Sequence, residues 1–161
     1  MSYAKKDGEQ LIEASKSGDL ATVQRLLNES VDVNYQDRSG RTALMGASDF
    51  GHVEVIKALL EKNAAVDIDV GGETALMKAS CCGHIECVRW LLENGADITI
   101  KNNNGMTAKR MAQRRGFSDI VKLIDQVRSS HIIESYHSNY MGCLMSLPSF
   151  ESTKSSRNYC R

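Results

Sequence analysis

The chain has 161 residues, 42% of them apolar, and its 20 basic and 20 acidic side chains give a formal net charge of zero. That length and composition allow one domain with a proper core plus tails, and neutrality removes any general pull toward nucleic acid or an anionic membrane. Met1 is followed by Ser, Tyr and two lysines, and no segment approaches the roughly 18 apolar residues of a membrane span, so neither a secretory signal nor a spanning helix is expected.

Charge is distributed unevenly. Residues 1–101 carry 11 basic and 16 acidic side chains, residues 102–127 carry 5 and 2, and residues 128–161 carry 4 and 2. The five cysteines are an odd count, which fits a reducing compartment and gives a cytoplasmic expectation, with the nucleus or cytoskeleton as alternatives.

In chain order, residues 1–7 form a short polar lead. Residues 8–36 follow, with Leu11, Ala14, Gly18, Val23, Leu26 and Leu27 as the apolar and turn positions and with Glu9, Lys16, Asp19, Gln24 and Arg25 expected on an outer, solvated face. Residues 37–68 begin DRSGRTALMGASDFGHVEVIKALLEKNAA, and the same pattern returns 32 residues later in residues 69–101. Gly40, Thr42, Ala43, Leu44, Met45, Ala47, Ser48, Gly51, His52, Leu59 and Leu60 all recur there. A worn copy, residues 102–127, keeps Gly105, Thr107, Ala108, Ala112, Gly116, Val121 and Ile124. A fixed period near 33 residues signals a repeat architecture, and residues 8–36 read as its capping first copy.

Within each copy Thr42, Thr74 and Thr107 can cap a short first helix, and Gly51, Gly83 and Gly116 supply the left-handed residue that ends it. A second helix runs back antiparallel. Its apolar residues, Val53, Ile56, Leu59 and Leu60 in one copy and Ile85, Val88, Leu91 and Leu92 in the next, recur at helical spacing. Asn63 or Gly95 ends that helix, and a glycine turn at Gly40, Gly72 or Gly105 forms a hairpin leading into the next copy. The connection from Leu60 to Gly72 is one residue shorter than its two counterparts, so that hairpin tip should sit differently. One copy cannot cover its own apolar stripe, and stacking on neighbours must do so.

These residues resemble the ankyrin repeat: GxTAL, then GH seven residues after that Leu, then VRWLLENGAD or IKALLEKNAA. The resemblance implies an all-α solenoid of stacked helix-turn-helix units joined by hairpin-like loops. TALM at Thr42 and Thr74 departs from the family's usual TPLH, which predicts slightly softer repeats of the same fold.

The last copy ends the stack with a basic first helix, Lys109, Arg110, Gln113, Arg114 and Arg115. Without interleaved aromatics this is a weak nucleic-acid footprint, and it reads as a solvated cap face or a contact for acidic protein. After Val127 the chain becomes serine-rich, a tail. Within it Tyr140–Leu147 is apolar enough to fold back on the final repeat or dock on a partner.

Cys81, Cys82, His84 and Cys87 have metal-ligand side chains, yet the repeat register explains each, since His84 copies His52 and Cys87 copies Val55. No metal site or cofactor is expected, though Cys81 and Cys82 could serve as regulatory thiols. Trp90 copies Ala58 and reads as packing between repeats. No nucleophile, base and orienting group fall at a recognisable spacing, so no enzyme is expected.

The resemblance implies that the hairpin tips and first helices line a concave surface that binds another protein. One copy contributes Arg38, Ser39, Arg41, Asp49 and Phe50, the next Val70, Gly71, Glu73, Cys81 and Cys82. The last copy adds Asn103, Asn104, Met106, Arg114 and Arg115. Two readings follow: a small adaptor or regulator that engages a partner through this surface, or a structural subunit of a larger, cytoskeletal-type assembly with the tail docking on neighbours.

Overall fold

A computed structural model describes residues 3–128. The tail and its Tyr140–Leu147 segment lie outside the described residues. By internal contacts the chain divides after Val127 into units of residues 1–127 and 128–161.

Among the described residues, eight helices pair into four units. They are α1 (Tyr3–Ser17) with α2 (Leu20–Asn28), α3 (Ala43–Phe50) with α4 (Val53–Glu61), α5 (Ala75–Cys82) with α6 (Ile85–Glu93), and α7 (Ala108–Arg115) with α8, residues 118–128. α1 extends back to Tyr3, through most of the stretch expected as a lead. No strand occurs among the described residues, only an isolated antiparallel bridge between Val70 and Glu73.

Local chemistry fixes the first-helix ends. Thr42, Thr74 and Thr107 are extended, and their hydroxyl oxygens accept from the amides of Met45 (3.3 Å), Met77 (3.4 Å) and Arg110 (3.3 Å). Gly51, Gly83 and Gly116 close the helices at φ of 80°, 83° and 83°, a conformation that costs a residue with a Cβ roughly 1–2 kcal/mol.

Packing then proceeds in two layers. First helices stack as α1, α3, α5, α7 and second helices as α2, α4, α6. Leu11, Leu26, Leu44, Ile56, Leu59, Leu76, Leu91, Ile120 and Ile124 are fully buried in one continuous core. Burying each such side chain contributes about 1.5–3 kcal/mol, which a lone copy could not gain. The stripe differs slightly from the periodicity reading: Val55 and Cys87 are core residues, whereas Val53, Leu60 and Ile85 are only partly buried.

Across the stack the histidines of the second and third copies reach backward. His52 Nε2 donates to the carbonyl of Lys16 at 2.9 Å, and His84 Nε2 to that of Asp49 at 3.1 Å. In the first copy Asp19 stands at the position of these histidines and caps α2, accepting from the Thr22 amide at 3.1 Å. Trp90 lies partly buried against the core with Lys57 Nζ of the preceding copy 5.0 Å from its ring centroid, a packing role between repeats.

The hairpins differ as their lengths require. Asp37 pairs with Arg41 across three tip residues and Asn102 with Met106 likewise, but Val70 pairs with Glu73 across only Gly71 and Gly72, both at positive φ. The missing residue therefore lies in the tip, and Val70 takes the structural place of Asp37 that the sequence repeat assigns to Asp69. Asp37 and Asn102 can accept tip amides through Oδ1. Val70 has no acceptor, and its hairpin closes as a two-glycine turn.

Candidate protein-binding surface

Hairpin tips and first helices meet along one side of the stack. A groove of about 280 Å³ lies between α3 and the two hairpins that flank it. Its walls are Met45, Gly46, Asp49 and Phe50 of α3, Lys16 of α1 and Lys78 of α5, with Ser39, Arg41, Val70, Gly71 and Glu73 from the hairpins. A neighbouring hollow of about 330 Å³, lined by Glu9, Ile12, Glu13, Lys16, Asp37, Arg38 and Ser39, continues along α1.

Seven of the expected binding residues thus converge on the first groove: Ser39, Arg41, Asp49, Phe50, Val70, Gly71 and Glu73. Arg38 lines the second. Cys81, Cys82, Asn103, Asn104, Met106, Arg114 and Arg115 line neither. Phe50 is the one large apolar side chain exposed among the described residues, at 57%. Val70 and Met106 are half-buried.

Four groove residues escaped the sequence reading. Lys16 was expected on the outer face of the first copy; instead it is half-buried, and its stem lies over Gly46, 3.0 Å from where a Cβ would be. The reason is register: Lys16 holds the α1 position that Asp49 holds in α3. Gly46 and Lys78 were legible by the criterion that selected the others, since Glu13, Gly46, Lys78 and Met111 occupy one repeat position and all differ. Met45 gives no such signal, because Met77 repeats it.

Most charges along the surface already have partners. Glu73 and Lys78 form an ion pair, Lys16 pairs with Glu13 at 3.4 Å, and the Asp49 carboxylate lies 3.5 Å from the Cys82 thiol that donates to it. Burial, reinforced by the Asp49 carboxylate, pushes the Cys82 thiol above its ordinary range, and burial takes Cys87 up to about 11. Neither is an activated thiolate. Farther along, Lys109 pairs with Asp125 at 2.6 Å, while Arg110, Arg114 and Arg115 are exposed. The Arg114 guanidinium lies 3.2 Å from the Met106 sulfur.

Cys81, Cys82, His84 and Cys87 do not converge on a point. His84 Nε2 is engaged by the Asp49 carbonyl, Cys87 is buried, and no group of three metal-ligating side chains forms among the described residues.

The model for three ankyrin repeats matches residues 11–102, more than half of the chain, and a second ankyrin-repeat model matches residues 81–124. The chain belongs to the ankyrin repeat family. Ankyrin repeats are protein-protein interaction modules, and the family is typically non-catalytic.

Similar proteins include Caskin-1 of Rattus norvegicus, 38% identical over 73 residues, covering 37% of this chain and 5% of that protein. Ankyrin repeat-containing protein YIL001W of Saccharomyces cerevisiae is 38% identical over 64 residues, 40% of this chain and 12% of its own length. Ankyrin repeat domain-containing protein 29 of Danio rerio is 43% identical over 56 residues, 34% of this chain and 19% of its own. The ankyrin-repeat chain therefore spans only a small part of these relatives. No helix among the described residues is long and apolar enough to cross a membrane.

Proposed function

We propose that this ankyrin-repeat chain is a non-catalytic adaptor or regulator that engages a protein partner through the surface made by its hairpin tips and first helices. The observation that carries the reading is the groove beside Phe50, where an exposed aromatic ring and the half-buried Val70 stand among residues that differ from copy to copy. The scaffold beneath is packed and preformed, so a partner would bind with little ordering cost on this side. A cytoplasmic location belongs to the same proposal, supported by the free thiols of Cys81, Cys82 and Cys87.

The test is affinity capture from native lysate with the full chain and with its Phe50→Ala variant, followed by direct binding of the recovered protein to both. A partner held by the parent and lost by the variant supports the reading. One held equally by both places recognition away from this groove.

A further inference from the structure

Two irregularities of the repeat fall at the same place. Gly46 sits inside α3, where glycine is a poor helix former, yet its φ is not positive, so conformational freedom does not require it. What it permits is close approach: Glu13, Lys78 and Met111 hold the same position in the other copies, and here the Lys16 stem lies 3.0 Å from where a Cβ would stand, so the floor of the groove is the α3 backbone and that stem. The hairpin beside it is the one with the shortened tip, and a Cβ added at Gly71 would meet nothing within 4 Å among the described residues. The result is a hollow walled by Met45, Phe50 and Val70.

Met45, Phe50 and Val70 give this hollow of about 280 Å³ apolar sides that can take an apolar side chain of a longer segment. Charge selects the segment further. Glu73 is neutralised by Lys78, and Asp49 keeps its charge at the α5 side, where it accepts from the Cys82 thiol, while the Arg41 guanidinium at the hairpin rim has no side-chain partner among the described residues. A planar guanidinium with all its donors free matches a carboxylate.

We propose that the hollow over Gly46 is an anchor subsite for an extended, acidic segment of a partner protein. One apolar side chain of the segment fills the hollow against Met45, Phe50 and Val70, and a carboxylate next to it in sequence pairs with Arg41. On the α1 side the surface carries Glu9 and Glu13, so the acidic residue lies toward the hairpins. This inference rests on the groove being the binding surface and adds what it binds.

The experiment pans a random-peptide library displayed on phage against the full chain, then measures the recovered peptides by fluorescence anisotropy on the parent and on the Phe50→Ala, Arg41→Glu and Gly46→Met variants. Gly46→Met places in α3 the side chain that Met111 places in α7, and circular dichroism and a thermal melt check its folding. The expected peptides share an apolar residue beside Asp or Glu. They lose roughly tenfold or more in affinity on Arg41→Glu and lose binding on Gly46→Met. The surface variant Arg41→Glu, panned in parallel, selects Lys or Arg in place of the acid.

Peptides that need Phe50 but carry no acidic residue, or that ignore Arg41→Glu, overturn this inference and leave the groove as the binding surface. Peptides indifferent to all three substitutions, or no enrichment over an unrelated protein, overturn both.

Discussion

The imidazole of His84 donates from Nε2 to the carbonyl oxygen of Asp49, 3.1 Å away, and the same ring presses on Gly51, where an added Cβ would stand 2.6 Å from Nδ1. One side chain thus satisfies the end of the preceding first helix and fills the space its glycine leaves. Replacing His84 by alanine is expected to cost about 1–2 kcal/mol, from an orphaned carbonyl and lost packing. His84→Phe, which copies the ring of Phe117 against Gly83, should recover part of that. Urea unfolding of the three proteins checks the order; equal stabilities would remove the role assigned to His84.

The capping glycines separate two effects. Gly83 and Gly116 share a φ of 83°, but a Cβ at Gly83 would lie 2.6 Å from the Phe117 ring, whereas one at Gly116 would meet nothing within 4 Å among the described residues. Gly116→Ala should therefore cost only the left-handed strain of about 1–2 kcal/mol. Gly83→Ala should cost distinctly more, because the ring must also move. The comparison is made by chemical denaturation, and a Gly116→Ala loss equal to or above that of Gly83→Ala would contradict it.

Ser15, Ser48 and Ser80 recur at one repeat position, and each buried hydroxyl lacks a hydrogen-bond partner among the described residues. An unpaired buried hydroxyl costs roughly 1–3 kcal/mol, and alanine is also the better helix former. Each single Ser→Ala change is expected to raise the melting temperature. Because α1, α3 and α5 are in contact, the triple variant need not be additive. A lowered melting temperature in all three single variants would mean the hydroxyls are in fact satisfied.

Acid should loosen the first hairpin. Burial acts upward on the Asp37 carboxyl, but hydrogen bonds from the Ser39 hydroxyl and from the amides of Arg41 and Ser39 outweigh it and hold the group below the ordinary 3.8. A depressed folded-state value means the stabilisation is present above the unfolded value and disappears as pH falls through the folded one. The loss is thus confined to pH below about 4. Asp37→Asn keeps the acceptor, as Asn102 does in the last hairpin, and should flatten this part of the stability-pH curve. Titration of the Asp37 carboxyl by NMR, with a value at or above 3.8, would remove the basis for the expectation.

Cys82 and Cys87 should alkylate slowly at neutral pH, since both thiols are pushed upward, chiefly by burial. Iodoacetamide labelling followed by mass spectrometry should find Cys87 unmodified until the chain unfolds. Rapid labelling of Cys82 would instead reopen the regulatory-thiol reading.

Much of the fold was legible in the residues because its determinants act within a few positions of themselves. Thr42, Thr74 and Thr107 cap through amides three residues on, and Gly51, Gly83 and Gly116 end helices by their own φ. The one-residue deficit before Gly72 correctly marked an altered hairpin, although only the pairing of Val70 with Glu73 located it in the tip.

What depended on the stack was not legible, because each partner lies about one full period away. That His52 and His84 reach the carbonyls of Lys16 and Asp49, that Lys57 covers Trp90, and that Lys16 turns inward over Gly46 all follow from how one copy seats on the next. Sequence by itself determined the repeat, its period and its caps, since local hydrogen bonds and the spacing of apolar residues specify them. Tertiary structure alone decided which variable residues share a groove, because that requires the offset between neighbouring copies, and the offset is set by packing rather than by any residue within one copy.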